Sequence, residues 1–368
     1  MKVLVTGANG FIGKNLVLQL HESSSFDVLT FVRGQDEGDL TRLLSQADAV
    51  VHLAGENRPA DVTAFDVVNT GLTERLCNEL KALKRRVPIL LASSAQATQA
   101  NPYGRSKLAA ERALEALVEV QGNPVAIYRL PGVFGKWCKP NYNSVVATFC
   151  HNKARDLPVE IHNLSAPVRL VYVDDVVKQI LSQLGSHWSG LIWPIIEPEY
   201  AISLGELAEQ IDAFKKCRTD LVSERVGTGL TRALYATYVS YLPVERFVYN
   251  LPVYGDARGV FVEMLKTPDA GQFSYFTAHP GVTRGGHYHH TKTEKFLVIK
   301  GHARFGFRHM LTNDVHYIET HGECPQIVET VPGWSHDITN IGSDEMVVML
   351  WANEIFDRVN PDTITSKV

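Results

Sequence analysis

The chain has 368 residues, 45% hydrophobic and 21% charged, with 36 Lys plus Arg against 40 Asp plus Glu for a net charge of -4. That composition fits a folded chain of about two domains, excludes a disordered one, and removes the electrostatic case for a general nucleic-acid binder. No apolar run reaches the roughly 18 residues a membrane span needs, the start carries no cleavable signal pattern, and five scattered cysteines form no CxxC, so the expectation is a cytoplasmic protein with free thiols and no membrane partner.

In chain order, Lys2–Thr6 reads as a strand, Phe11–Leu20 as a helix and Val28–Val32 as a second strand. A helix over Leu40–Ala47, a strand over Ala49–Leu53, a helix over Glu74–Lys84 and a strand over Pro88–Ser93 follow. A long helix over Ser106–Val120 and a strand over Val125–Arg129 complete the series. Strands alternating with helices at this spacing predict an α/β layer, a doubly wound parallel sheet of Rossmann type. Past about residue 243 the helical period fades. Short runs take over: Val260–Leu265, Phe273–Thr277, Lys295–Ile299, Ala303–Phe307, Gln326–Val331 and Met346–Trp351, the pattern of a closed or sandwiched all-β unit. Nine of the 14 histidines fall at or beyond His279. The expected domains are 1–246 and 247–368.

Three features of the first half carry chemistry. Gly7, Gly10 and Gly13 sit directly after the first strand and open the first helix, where backbone N–H groups and a helix N-terminus can receive a dinucleotide pyrophosphate. The second strand ends in Phe31-Val32-Arg33 with no acid until Asp36; an arginine there suits a ribose 2′-phosphate and favours NADP(H) over NAD. Tyr103 and Lys107 stand one helical turn apart, so an ammonium beside the phenol is expected to lower the tyrosine pKa and make it a proton donor or acceptor. Ser94, at the end of the preceding strand, can hydrogen-bond the reacting oxygen.

In the second half, His287 and His289 point to one face if extended, and with Glu294 and the downstream His336 they offer imidazoles and a carboxylate suited to zinc, iron, manganese or nickel. Zinc is favoured, because the chemistry inferred below needs no redox change. His290, His302, His309, His316 and His321 read singly as surface residues.

The Gly7–Gly13 turn with Ser94, Tyr103 and Lys107 resembles the extended short-chain dehydrogenase/reductase family over about residues 1–240, as do Ala47-Asp-Ala-Val-Val-His-Leu-Ala-Gly55 and Arg129-Leu-Pro-Gly-Val-Phe-Gly135. That resemblance implies cofactor contacts from Gly7, Asn9, Gly10, Phe11, Ile12, Gly13, Arg33, Leu53, Ala54, Gly55, Asn69, Tyr103, Lys107 and Leu130. The spacing of Gly281, His287, His289, Glu294 and Gly301, followed by Pro332-Gly333, His336 and Asn340, resembles the cupin family. It implies a small β-barrel with His287, His289, Glu294 and His336 as metal ligands.

A reductase followed by a cupin is similar to the CapF family of capsular polysaccharide enzymes and its lipopolysaccharide counterparts. The resemblance implies a UDP-linked 4-keto-6-deoxy sugar as substrate, C3 epimerisation in the cupin, then NADPH-dependent C4 reduction, and a homodimer. Lys295, His290 and Tyr288 are the candidates for moving the C3 proton, with Lys295 taken as the catalytic choice. A single-activity reductase with a structural or dimerising cupin is the alternative, and an oxygen-using iron cupin a further one.

Overall fold

The computed structural model describes residues 1–247, 249–290, 292–310, 312–330, 332–359 and 361–368. By chain packing it divides into two compact units: Met1–Ile211 with Arg232–Leu242, and Asp212–Thr231 with Pro243–Val368.

The first unit is built on the strands β1 (Lys2–Thr6), β2 (Asp27–Phe31), β3 (Ala49–His52), β4 (Ile89–Ser94) and β5 (Val125–Leu130), with β6 (Gly132–Phe134), β7 (Pro167–Tyr172), β8 (Leu191–Ile192) and β9 (Glu199–Ser203) beyond. One sheet runs in the order β2-β1-β3-β4-β5-β8, all neighbours parallel. A smaller sheet is ordered β6-β7-β9. The helices are α1 (Phe11–Glu22), α2 (Glu37–Gln46), α3 (Thr63–Phe65), α4 (Leu72–Ala82), α5 (Pro102–Gln121), α6 (Val145–Lys153), α7 (Val173–Leu184), α8 (Leu204–Asp220) and α9 (Gly229–Ser240). Strands such as Ala49–His52 are buried throughout, as a sheet covered on both faces requires. Leu4, Val50, Leu76, Ile89, Leu114 and Ile127 share one core cluster. Because β1 has β2 on one side and β3 on the other, the crossovers leave it in opposite directions. The carboxyl ends of β1 to β5 then border the crevice where open α/β sheets bind ligands.

The second unit is antiparallel. Its strands are β10 (Val253–Asp256), β11 (Gly259–Thr267), β12 (Gly271–Ala278), β13 (Thr283–Tyr288), β14 (Glu294–Lys300), β15 (His302–His309), β16 (Val315–His321), β17 (Ile327–Thr330), β18 (Trp334–Asn340), β19 (Met346–Ala352) and β20 (Ile364–Thr365). They form two sheets, ordered β10-β11-β12-β19-β14-β17 and β16-β15-β18-β13-β20. Both sheets contribute to one core: Phe276, Phe296, Val298 and Val348 from the first, Phe305 and Ile338 from the second, with the rings of Phe296 and Phe305 5.7 Å apart. The run expected over Gln326–Val331 is β17, and Val331 lies outside the described residues. The Asp212–Thr231 excursion joins this unit through the main chain, where Lys266 N donates to Leu221 O (2.7 Å) and Ser223 N to Lys266 O (2.8 Å). Among the described residues no helix is long and apolar enough to cross a membrane, and all five cysteines are free thiols, four of them buried.

Candidate active site and candidate metal centre

The turn after β1 is dictated by glycine. Gly7 has φ +69°, and a Cβ there would lie 2.7 Å from Ala54 N, so β1 can meet the segment after β3 only without a side chain. A Cβ on Gly13 would stand 2.3 Å from Gly7 O. The turn closes through Gly7 N to Phe31 O (2.9 Å) and Gly10 N to Gly7 O (2.8 Å). Gly10 caps α1 without a side-chain hydrogen bond, which leaves first-turn N–H groups, with Phe11 and Ile12 in that turn, to receive an anion. Asn9 is exposed in the same turn. These features fit a dinucleotide pyrophosphate.

The segment after β3 is tied to the same turn. Leu53 N donates to Thr6 O (3.2 Å) and Ala54 N to the Thr6 hydroxyl (3.2 Å). A one-way chain of hydrogen bonds continues from there. The Thr73 hydroxyl donates to Asn69 O (2.7 Å), so it accepts from His52 Nε2 (2.9 Å), and His52 Nδ1 in turn accepts from Thr6 (2.6 Å). Burial first, then the charge of Lys107, pulls the His52 pKa down to about 3, which keeps this relay neutral. Asn69 lies in a π-helical turn, Asp66–Gly71. Its amide accepts from Glu56 N (2.8 Å) and donates to Glu56 O (3.1 Å) and to Ser106 Oγ (2.9 Å). A Cβ on Gly55 would lie 3.0 Å from Asn69 Oδ1 and 3.2 Å from Lys107 Nζ, so Gly55, Asn69 and Lys107 are brought together. Arg33, at the end of β2, is exposed and paired with Glu56, a partner the sequence reading did not identify.

α5 starts where the chemistry needs it. Asn101 caps the helix by accepting from Gly104 N (2.7 Å), and Pro102 occupies its first turn. Gly104 lets the preceding 3-10 turn pack against the helix, since a Cβ would lie 2.4 Å from Gln96 O. Tyr103 is half-buried, its ring 5.6 Å from Phe65, and it is hydrogen-bonded by Ser94. Lys107 is buried and donates to Ala92 O (3.0 Å). The expected depression of the Tyr103 pKa is not found: burial raises it, and the bond from Ser94 works only partly against that. It is Lys107 that is depressed, to about 8, by burial, with the Glu111 carboxylate opposing. Glu111 is fully buried, accepting from Ser93 (2.5 Å) and from both Arg129 Nε (3.0 Å) and Nη2 (2.6 Å). Leu130 pairs in register with Ser94 at the same sheet edge. In the loop after β6, Lys136 is committed to Asp174 (2.6 Å), whereas exposed Lys139 stands over the Tyr142 ring (5.2 Å) and Tyr142 Oη accepts from Arg58 N (3.2 Å).

In the second unit His287, His289, Glu294 and His336 converge, their ligand atoms all within 4.8 Å of one another. β13 and β18 bring His287 opposite His336 across a bulge, and Glu294 enters as the first residue of β14 in the other sheet. His289 is oriented from behind: its Nδ1 bonds the carbonyl of Asp362, which only accepts, so its Nε2 lone pair faces Glu294 Oε2 at 3.3 Å. His336 Nε2 is also 3.3 Å from that oxygen but out of alignment, and both its ring nitrogens are buried without a hydrogen-bond partner among the described residues. Two lone-pair atoms facing each other beside an orphaned imidazole is a donor set that a divalent cation satisfies. Burial alone would raise the Glu294 carboxyl, and the Lys292 charge opposes it. Burial and then His336 lower His287 to about 4.

Lys295 corrects the sequence reading. It follows Glu294 on a strand and so points to the other face, where it pairs with Glu329 and lines a shallow apolar surface with Leu297, Ile327 and Met349. Tyr288 and His290 flank His289 on the opposite side of the chain, their rings 5.4 Å from each other. The cation the cluster does hold is Lys292, buried, with Nζ 3.0 Å from Glu294 Oε1.

The NAD dependent epimerase/dehydratase family matches residues 3–187, and the Polysaccharide biosynthesis C-terminal domain matches residues 254–364. The chain is 56% identical over 368 residues to a UDP-2-acetamido-2,6-beta-L-arabino-hexul-4-ose reductase of Pseudomonas aeruginosa, covering 100% of this chain and 99% of that one. It is similar to the crystal structure of the capsular polysaccharide assembling protein CapF from Staphylococcus aureus, with TM-score 0.92 and 40% identity over 100% of both chains. UDP-glucuronic acid 4-epimerase from Bacillus cereus, solved with NAD, shares the fold over 66% of this chain and 98% of that one, at TM-score 0.56 and 19% identity.

Proposed function

The chain belongs to the NAD dependent epimerase/dehydratase family and, over its full length, to the CapF family of capsular polysaccharide enzymes, and we propose that it reduces the C4 ketone of a UDP-linked 2-acetamido-2,6-dideoxy-4-hexulose with NADPH. The carrying observation is the Ser94–Tyr103 hydrogen bond at the carboxyl edge of the parallel sheet, with Lys107 Nζ beside Gly55 in the segment that packs on the glycine turn.

Reduced nicotinamide, when bound, supplies the hydride for C4. Tyr103 gives its proton to the oxygen that becomes a hydroxyl, and Ser94 hydrogen-bonds that oxygen. Lys107, charged below about pH 8 and adjacent to Gly55 and Asn69, stabilises the phenolate left behind and orients the ribose. Arg33 suits a 2′-phosphate once Glu56 yields it. Lys139 and Tyr142, stacked in the loop after β6, would offer a cation and an aromatic face to the UDP group.

The second half of the proposal gives the antiparallel unit C3 epimerisation of the same sugar. The product is then UDP-2-acetamido-2,6-dideoxy-L-talose, a precursor of N-acetyl-L-fucosamine for capsule or O-antigen. The C4 ketone acidifies the C3 proton, and zinc or another first-row divalent ion held by His287, His289, Glu294 and His336 would supply Lewis-acid stabilisation of the charge that develops. A cytoplasmic homodimer completes the proposal.

The test is to incubate the protein with the UDP-4-keto sugar in deuterated water, first alone and then with NADPH. Deuterium at C3 before cofactor and NADPH loss after it are the expected results. No C3 exchange, with reduction of sugar already epimerised, would leave a single-activity reductase. No NADPH loss with either sugar would defeat the reading.

A further inference from the structure

The two oxygens of Glu294 have different neighbours. Oε2 faces His289 Nε2 and His336 Nε2, each 3.3 Å away, while Oε1 is 3.0 Å from Lys292 Nζ. Both side chains are nearly closed to solvent, 9% exposed for Lys292 and 6% for Glu294. Lys292 is held on its other sides as well: its ammonium lies 5.6 Å from the Phe356 ring, and its backbone N–H donates to Asp362 Oδ2 (2.9 Å). The same carboxylate takes His290 N through Oδ1 (2.8 Å), so the loop carrying Lys292 is pinned to the chain that also orients His289.

We propose that Lys292 is a positioning residue that occupies Glu294 Oε1 and thereby limits the carboxylate to one donor oxygen in the metal centre. This rests on the reading of the cluster as a metal site. A carboxylate without a partner on its second oxygen can bind an ion through both. With Lys292 in place the protein supplies three imidazole nitrogens and one oxygen. A second oxygen would take a coordination position that a substrate oxygen needs. Lys292 acts here as a fixed cation and hydrogen-bond donor, and no proton leaves it.

Ion affinity is not the deciding readout, because removing Lys292 both lifts a repulsion toward the ion and frees the carboxylate. Coordination is. The test loads the full chain with cobalt(II) and compares wild type with Lys292→Met and Lys292→Arg at equal cobalt content. The expected result is weaker, shifted visible bands in Lys292→Met, the mark of a higher coordination number, and a return to the wild-type spectrum in Lys292→Arg. Identical spectra for wild type and Lys292→Met would overturn the proposal while leaving the metal reading intact. A wild-type chain that takes up no cobalt or zinc would overturn both. If Lys292→Met does not fold by circular dichroism, zinc-minus-apo infrared difference spectra of the wild type decide. Wide separation of the carboxylate stretches supports one-oxygen binding, and narrow separation overturns it.

Discussion

Replacing Gly13 with alanine tests the nucleotide turn by a single methyl group. The new Cβ would sit 2.3 Å from Gly7 O and 2.8 Å from Ala8 Cα and Ala8 O, all backbone atoms that cannot rotate away. Ordinary contact needs about 3.5 Å, so α1 and the turn must separate by roughly 1 Å. Overpacking of this kind costs about 1–3 kcal/mol, and the better helix propensity of alanine returns at most about 1 kcal/mol. A net loss of about 1–2 kcal/mol lowers Tm by roughly 2–8 °C for a unit of this size. A displacement of about 1 Å at the cofactor turn costs up to roughly 100-fold in kcat/KM for NADPH. Differential scanning calorimetry and NADPH kinetics measure both, with Gly227→Ala as the control because a Cβ there meets nothing within 4 Å. A Gly13→Ala protein with wild-type Tm and wild-type NADPH kinetics would refute the reasoning.

Lys107 makes a pH prediction whose two halves have opposite sign. Its pKa is about 8 when folded and 10.5 when free, so between those values the unfolded chain holds the extra proton and the residue's contribution to stability rises with pH, whereas the reductase, which needs the ammonium, slows as pH passes about 8. Glu111→Gln, by removing the charge that raises this pKa, moves the falling limb to lower pH; a limb that stays put shows Glu111 to be electrostatically silent. Arg33→Ala should cut the preference for NADPH over NADH by about tenfold in the ratio of kcat/KM values, and an unchanged ratio removes Arg33 from cofactor selection. His336→Ala should lower zinc stoichiometry and abolish the thermal stabilisation that zinc gives the wild type, read by metal analysis and calorimetry; full zinc occupancy in the variant would discard His336 as a ligand.

The parallel sheet and the glycine turn were legible because strand–helix alternation and glycine spacing are local signals; the same holds for the placing of Tyr103 and Lys107 on one helix, but not for the effect of burial, which raises the Tyr103 pKa. The second unit was readable as β, yet β13 and β18, which carry two of the clustered histidines, stayed hidden because polar and glycine residues break their apolar alternation. Lys295 adjoins Glu294 in sequence, but extended chain alternates faces and turns it away to Glu329. Lys292, two residues before Glu294, is the lysine that shares its side, a signal the period of two could have supplied. No local pattern could have found Asp362 behind His289, since the contact spans 73 residues. Glu56 on Arg33 and the π-helical turn around Asn69 are likewise products of tertiary packing.

The reach to Asp362 sets an order of events during synthesis. The unit that carries the glycine turn and the Ser94–Tyr103–Lys107 group ends at Leu242, so that pocket can form while the ribosome is still translating the second unit. The imidazole of His289 meets its orienting carbonyl only after the polypeptide has emerged through residue 362. Ion capture by the complete cluster is therefore a late step in biogenesis, and a nascent chain halted before that point carries a nucleotide pocket without a finished metal pocket.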